Sequence, residues 1–129
     1  MKEKEIKKKR LALLNRVAER YNSNNRSVVH SSNSGLGGVC CYIKPDGNRC
    51  AIGWELPEAV CRILDKKNNP INALNPQELA LIPVELKSLG FEFLKRVQDL
   101  HDTAKNWNKS GLSDEGNAFY RGIVNAYCI

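Results

Sequence analysis

The sequence predicts a small single-domain α+β fold: a β-hairpin, extendable to a three-stranded antiparallel sheet, packed against about four to six helices. Three observations lead there. The chain has 129 residues, 42% of them apolar and 26% charged, which is enough for one modest core. A strong turn signal, Lys44-Pro45-Asp46-Gly47-Asn48, separates two short apolar arms. Helical periodicity dominates on both sides of it.

Taken in order, Ile6, Leu13, Leu14, Val17, Ala18 and Tyr21 form one apolar stripe, predicting a helix over residues 3–21. Residues 1–10 are basic and too polar to bury, so the first turns are expected to fray. Residues 22–38 are rich in Ser, Asn and Gly and read as a flexible loop, with Val28-Val29-His30 as a candidate third strand. In the hairpin, Pro45 presets φ and Gly47 takes the left-handed position of a three-residue loop. Ile43 then faces Arg49, and Tyr42 faces Cys50. Alternation puts Cys40, Tyr42, Cys50 and Ile52 on a buried face, and Cys41, Ile43, Arg49 and Ala51 on a partly exposed one. Gly53 breaks the strand, and Pro57 suits the first position of a helix over 57–66, with Ala59, Val60, Ile63 and Leu64 inward.

Pro70, Pro76 and Pro83 break up the next stretch. Asn75, Pro76 and Glu78 make a capping box, predicting short helices at 76–81 and 83–89. Phe93, Leu94, Val97, Leu100, His101, Ala104 and Trp107 keep helical spacing, so the main helix is expected over 90–107. Ser113 caps a last helix, 114–127, with Phe119, Ile123, Ala126 and Tyr127 inward and with Gly116 and Gly122 either weakening it or permitting close approach.

Net charge is +6, of which residues 2–10 carry +4 and the remainder +2. A basic arm is usually a solvated helix end; contact with nucleic acid is the lesser alternative. No apolar run approaches the ~20 residues of a membrane span, and no secretory signal opens the chain, so the default expectation is a cytoplasmic protein without a membrane partner. The five cysteines read as reduced, buried thiols; a Cys40–Cys50 bridge is conceivable but not favoured.

The pattern Cys40-x-Tyr42, Asp46-Gly47, Cys50, Gly53, Pro57, then Leu100-His101-Asp102 and Trp107, resembles small uncharacterised proteins of tailed bacteriophages. The resemblance covers roughly residues 38–107. After Gly53 such proteins usually continue with an apolar residue and Ile-Pro, whereas this chain has Trp54-Glu55-Leu56-Pro57. A phage origin is implied, and with it action in the bacterial host cytoplasm, but no settled activity.

For chemistry the residues are sparing. His101-Asp102 resembles the metal-dependent phosphohydrolases of the HD type, yet the only other histidine is His30, and adjacent helical residues point about 100° apart. Paired zinc-ligand spacing is missing, and Cys40, Cys50, Cys61 and His101 would meet only through folding. Cys50 with His101 and Asp102 has the residue types of a thiol nucleophile, without an oxyanion site. The Gly-rich segment precedes a strand, not a helix, which argues against a phosphate loop. Neither a catalytic residue nor a metal or cofactor is therefore assigned. Aromatic rings with cations suit a nucleotide-sized anion. The expected ligand-binding residues are Arg26, His30, Tyr42, Lys44, Arg49, Trp54, His101 and Trp107. The resulting expectation is a homo-oligomeric phage accessory protein that sequesters a nucleotide-derived defence signal. Direct inhibition of a host protein, a phosphoesterase and a nucleic-acid binder are the alternatives.

Overall fold

The computed structural model describes residues 2–25, 28–30, 38–40, 42–43, 47–67 and 74–129. Among them the architecture is α+β, with six α-helices and two small antiparallel ribbons. The helices are α1 (Glu3–Arg20), α2 (Glu58–Lys67), α3 (Pro76–Leu79), α4 (Val84–Lys87), α5 (Phe91–Asp102) and α6 (Asp114–Ile123). β1 (Val28–His30) pairs with β2 (Gly38–Cys40), and β3 (Trp107–Asn108) pairs with β4 (Gly111–Leu112).

The strand expected at Val28–His30 is present, with Val28 opposite Cys40. The hairpin is smaller than expected. Its register agrees, since Ile43 bridges Arg49 in antiparallel fashion and Gly47 takes φ +89°, but that bridge is isolated. Lys44, Pro45 and Asp46, and with them the tip, lie outside the described residues, as do Arg26, Ser27 and the glycine-rich 31–37.

The two-face pattern fails at Ile43 and again beyond Cys50. Ile43 and Ala51 are buried like Tyr42, Cys50 and Ile52. Alternation needs extended backbone, and here the chain coils: Trp54 N–H donates to Cys50 O, Glu55 N–H to Ile52 O, and Leu56 N–H to Gly53 O. A 3₁₀ turn over Gly53–Glu55 therefore replaces the strand end. On the other side, Asp65 of α2 accepts the N–H groups of Tyr42 (2.7 Å) and Ile43 (3.1 Å). One carboxylate thus satisfies two successive backbone amides.

In α2 the buried stripe is Val60, Cys61 and Leu64, while Ala59 and Ile63 face solvent, contrary to expectation. Cys61 turns inward because its Sγ donates to Gly53 O at 3.3 Å. The capping box stands as expected: Glu78 N–H donates to Asn75 Oδ1 (2.8 Å), and Asn75 N–H to Glu78 Oε1 (3.0 Å).

α5 stops at Asp102, five residues short of the expected end at Trp107. Three side chains cut it off. Thr103 Oγ1 donates to Asp99 O (2.8 Å), and Asn106 Nδ2 (3.2 Å) with Trp107 Nε1 (2.9 Å) both donate to Leu100 O. The Thr103 hydroxyl joins its own N–H on Asp99 O, while the Asn106 and Trp107 donors occupy the Leu100 carbonyl that the N–H of a further turn would take. The chain then makes a 3₁₀ turn over Ala104–Asn106 and enters the β3–β4 hairpin.

Ser113 caps α6 by accepting Gly116 N–H at 3.1 Å. After Ile123 the backbone widens into a π turn, Val124–Cys128. The added residue per turn rotates the side chains, so Ala126 is exposed while Tyr127 and Cys128 pack on the core. That core gathers Leu13, Leu14 and Val17 of α1, Cys50 to Ile52, Leu64, the α5 residues Phe93, Leu94, Val97 and Leu100, and Ile123.

Candidate functional site

The 3₁₀ turn at Gly53 exists because no side chain stands there. A Cβ on Gly53 would lie 2.0 Å from the Tyr42 carbonyl oxygen. The turn projects Trp54 outward, 41% exposed beside a fully buried Ile52. Two guanidinium groups lie against the indole: Cζ of Arg20 is 5.3 Å from the ring centroid and Cζ of Arg49 is 5.2 Å. Such contacts attract cations to the electron-rich ring face.

Each arginine is placed by a different element. Arg49 itself forms the bridge to Ile43, and its Nη1 donates to Gly53 O (3.3 Å) and Leu56 O (3.0 Å). Its own carbonyl accepts the Tyr21 hydroxyl at 2.7 Å. Arg20 ends α1 and also stacks on Tyr21, at 6.0 Å. Neither guanidinium is paired with a carboxylate among the described residues, and Arg20 Nη1 and Arg49 Nε are buried without an acceptor. Their neighbours differ in this respect: Arg16 is 2.5 Å from Glu55, and Arg62 is 2.6 Å from Glu58. The Arg62 guanidinium beside Glu58 holds its carboxyl below the usual value.

Behind this surface lies a polar network. Ile52 N–H donates to Gln98 Oε1 (3.3 Å), and Gln98 Nε2 donates to Asp102 Oδ1 (2.8 Å), which stands 2.7 Å from His101 Nδ1. His101 is fully buried, with the Tyr21 ring edge-on at 4.7 Å. Burial, reinforced by Cys50, raises the Tyr21 phenol above its ordinary range, and Arg20 opposes the shift.

Cys50 and Cys61 are free, buried thiols flanking Gly53: Gly53 N–H donates to Cys50 Sγ at 3.4 Å, and Cys61 Sγ donates to Gly53 O. Burial pushes the Cys61 thiol from 9.0 up to about 11, with Arg49 opposing. Below pH 9 this thiol is protonated whether the chain is folded or not, and its contribution to stability is complete. Between pH 9 and 11 the unfolded chain releases the proton first, so stability falls as pH rises. Urea midpoints should therefore drop across that window. Cys61→Ala should flatten the slope, and an unchanged slope would refute the assignment.

The residues named from sequence distribute unevenly. Trp54 and Arg49 come together. Tyr42 (6% exposed), His101 and Trp107 (5%) are in the interior, where their rings present no open face. His30 lies on β1, whereas Arg26 and Lys44 lie outside the described residues. Arg20 and Arg16 were not anticipated. The available signal was their spacing, i and i+4 on α1, which aligns them on one face. No group of three or more His, Cys, Asp or Glu side chains among the described residues is arranged to hold a metal ion, and no described helix is long and apolar enough to cross a membrane. Comparison with known proteins yields no match to any family model, curated protein or solved structure.

Proposed function

We propose that the chain binds a small anionic, nucleotide-like ligand at Trp54, Arg20 and Arg49, without turning it over. The observation that carries this reading is the exposed indole with two guanidinium groups that form no close ion pair with a carboxylate among the described residues. A flat ring has an aromatic partner there. A phosphate has guanidinium donors, whose two-pronged geometry matches its oxygens. The phage resemblance supplies the biological setting: an accessory protein in the bacterial host cytoplasm that sequesters a nucleotide-derived signal of antiviral defence.

Thermal shift with cyclic dinucleotides and cyclic ADP-ribose isomers tests the reading. Ligand at a hundred times its Kd adds about 2.7 kcal/mol, so Tm should rise by several degrees in the wild type. Trp54→Ala should remove the rise and lower the unliganded stability by about 1–3 kcal/mol, since the ring is more than half covered and carries both guanidinium contacts. Ligand recovered after denaturation should be intact. A wild type that ignores every compound, or that converts one, contradicts the proposal.

A further inference from the structure

The arginine line does not stop at Trp54. Lys9, Arg16 and Arg20 stand at i, i+7 and i+11 on α1, within about 40° of one line down the helix. Arg16 and Arg20 are about 6 Å apart in axial rise, and Lys9 lies about 10 Å further on. Arg16 and its partner Glu55, the residue after Trp54, also form part of the wall of a groove of about 400 Å³. Its lining mixes apolar Leu13, Leu86 and Leu89 with Lys9 and with a second carboxylate, Glu85. This volume falls in the range of small-molecule sites, about 300–1,000 Å³.

Resting on the reading above, we propose that the ligand is of the dinucleotide class, with two phosphates and two bases. One base meets Trp54 and its phosphate meets Arg20 and Arg49. The second phosphate meets Arg16, and the second base enters the groove. Glu55 is then the internal anion that the second phosphate displaces. Its carboxylate is 17% exposed and Arg16 is 48% exposed. The mostly buried carboxylate makes opening this pair costly, and a charge-assisted, two-pronged arginine–phosphate contact is what offsets that cost.

The test is calorimetric titration of the full chain with AMP and GMP against the dinucleotides pApA and pGpG. The dinucleotides should bind wild type about tenfold tighter or better. Arg16→Gln should bring them to the mononucleotide level while changing mononucleotide affinity by less than about twofold. Glu55→Gln should tighten dinucleotides several-fold and leave mononucleotides alone. Equal affinity for both classes, with Arg16→Gln silent, overturns the two-phosphate assignment and leaves the Trp54 site standing. No nucleotide binding at all overturns both. Affinity that keeps rising with length through a decanucleotide, and collapses with salt, assigns the row to single-stranded nucleic acid and overturns the small ligand.

Discussion

Gly53→Ala should cost the domain about 4 kcal/mol or more, a large share of the ~5–15 kcal/mol of a typical domain. The new Cβ would meet the Tyr42 carbonyl oxygen at 2.0 Å, its carbon at 3.0 Å and Arg49 Cβ at 3.1 Å. No rotamer relieves a clash with backbone, so one chain segment must move. Movement of Tyr42 would break its bond to Asp65, and movement of the turn would separate Trp54 from Arg49. Gly122→Ala is the matched control. Nothing lies within 4 Å of its Cβ, and it is helical, so it should stabilise by about 0.5–1 kcal/mol. Urea unfolding of the two variants reads both signs. Equal behaviour would mean that the Gly53 contact is not a constraint.

Arg10→Ala should destabilise by about 2–4 kcal/mol. This half-buried side chain lies inside what looks like a solvated basic arm. Its Nε donates to Leu89 O (2.8 Å) and its Nη1 to Tyr127 O (3.0 Å). Its guanidinium stacks on Phe93 and Tyr127, at 5.6 and 5.7 Å from the ring centroids. One planar cation therefore joins α1, the start of α5 and the C-terminal π turn. Removal strands two carbonyls and opens space beside two rings. Arg10→Lys keeps the charge but cannot reach both carbonyls in a fork, so it should recover less than half of the loss. Chemical denaturation measures both variants, and full rescue by lysine would show that charge alone matters.

What the sequence revealed was mostly local. The stripe from Leu13 to Tyr21, the Asn75 and Ser113 caps and the Ile43–Arg49 register depend on neighbours a few residues away, and such signals survive in the bare chain. The misreadings arise where distant groups compete for backbone. Helical spacing carries on through Ala104 to Trp107, but Asn106 and Trp107 fold back onto Leu100 O and end the helix. Ala51 has the parity of an exposed strand position, yet the coil at Gly53 buries it. In the candidate site, Trp54 and Arg49 are close in sequence and were named together. Arg20 comes from another element, and at the end of α1 it reads as an ordinary complement to the helix dipole. Its approach to Trp54 is a tertiary fact without a local signature.

The central claim is that the exposed tryptophan is the binding residue. The chain has two tryptophans, so a ¹H–¹⁵N spectrum contains two indole signals. Trp107 is buried with its N–H bonded to Leu100 O, while Trp54 is 41% exposed. On titration with pApA or pGpG, the Trp54 signal should shift in a saturable way and the Trp107 signal should stay in place. A Trp54 signal that never moves while ligand binds elsewhere would contradict the account.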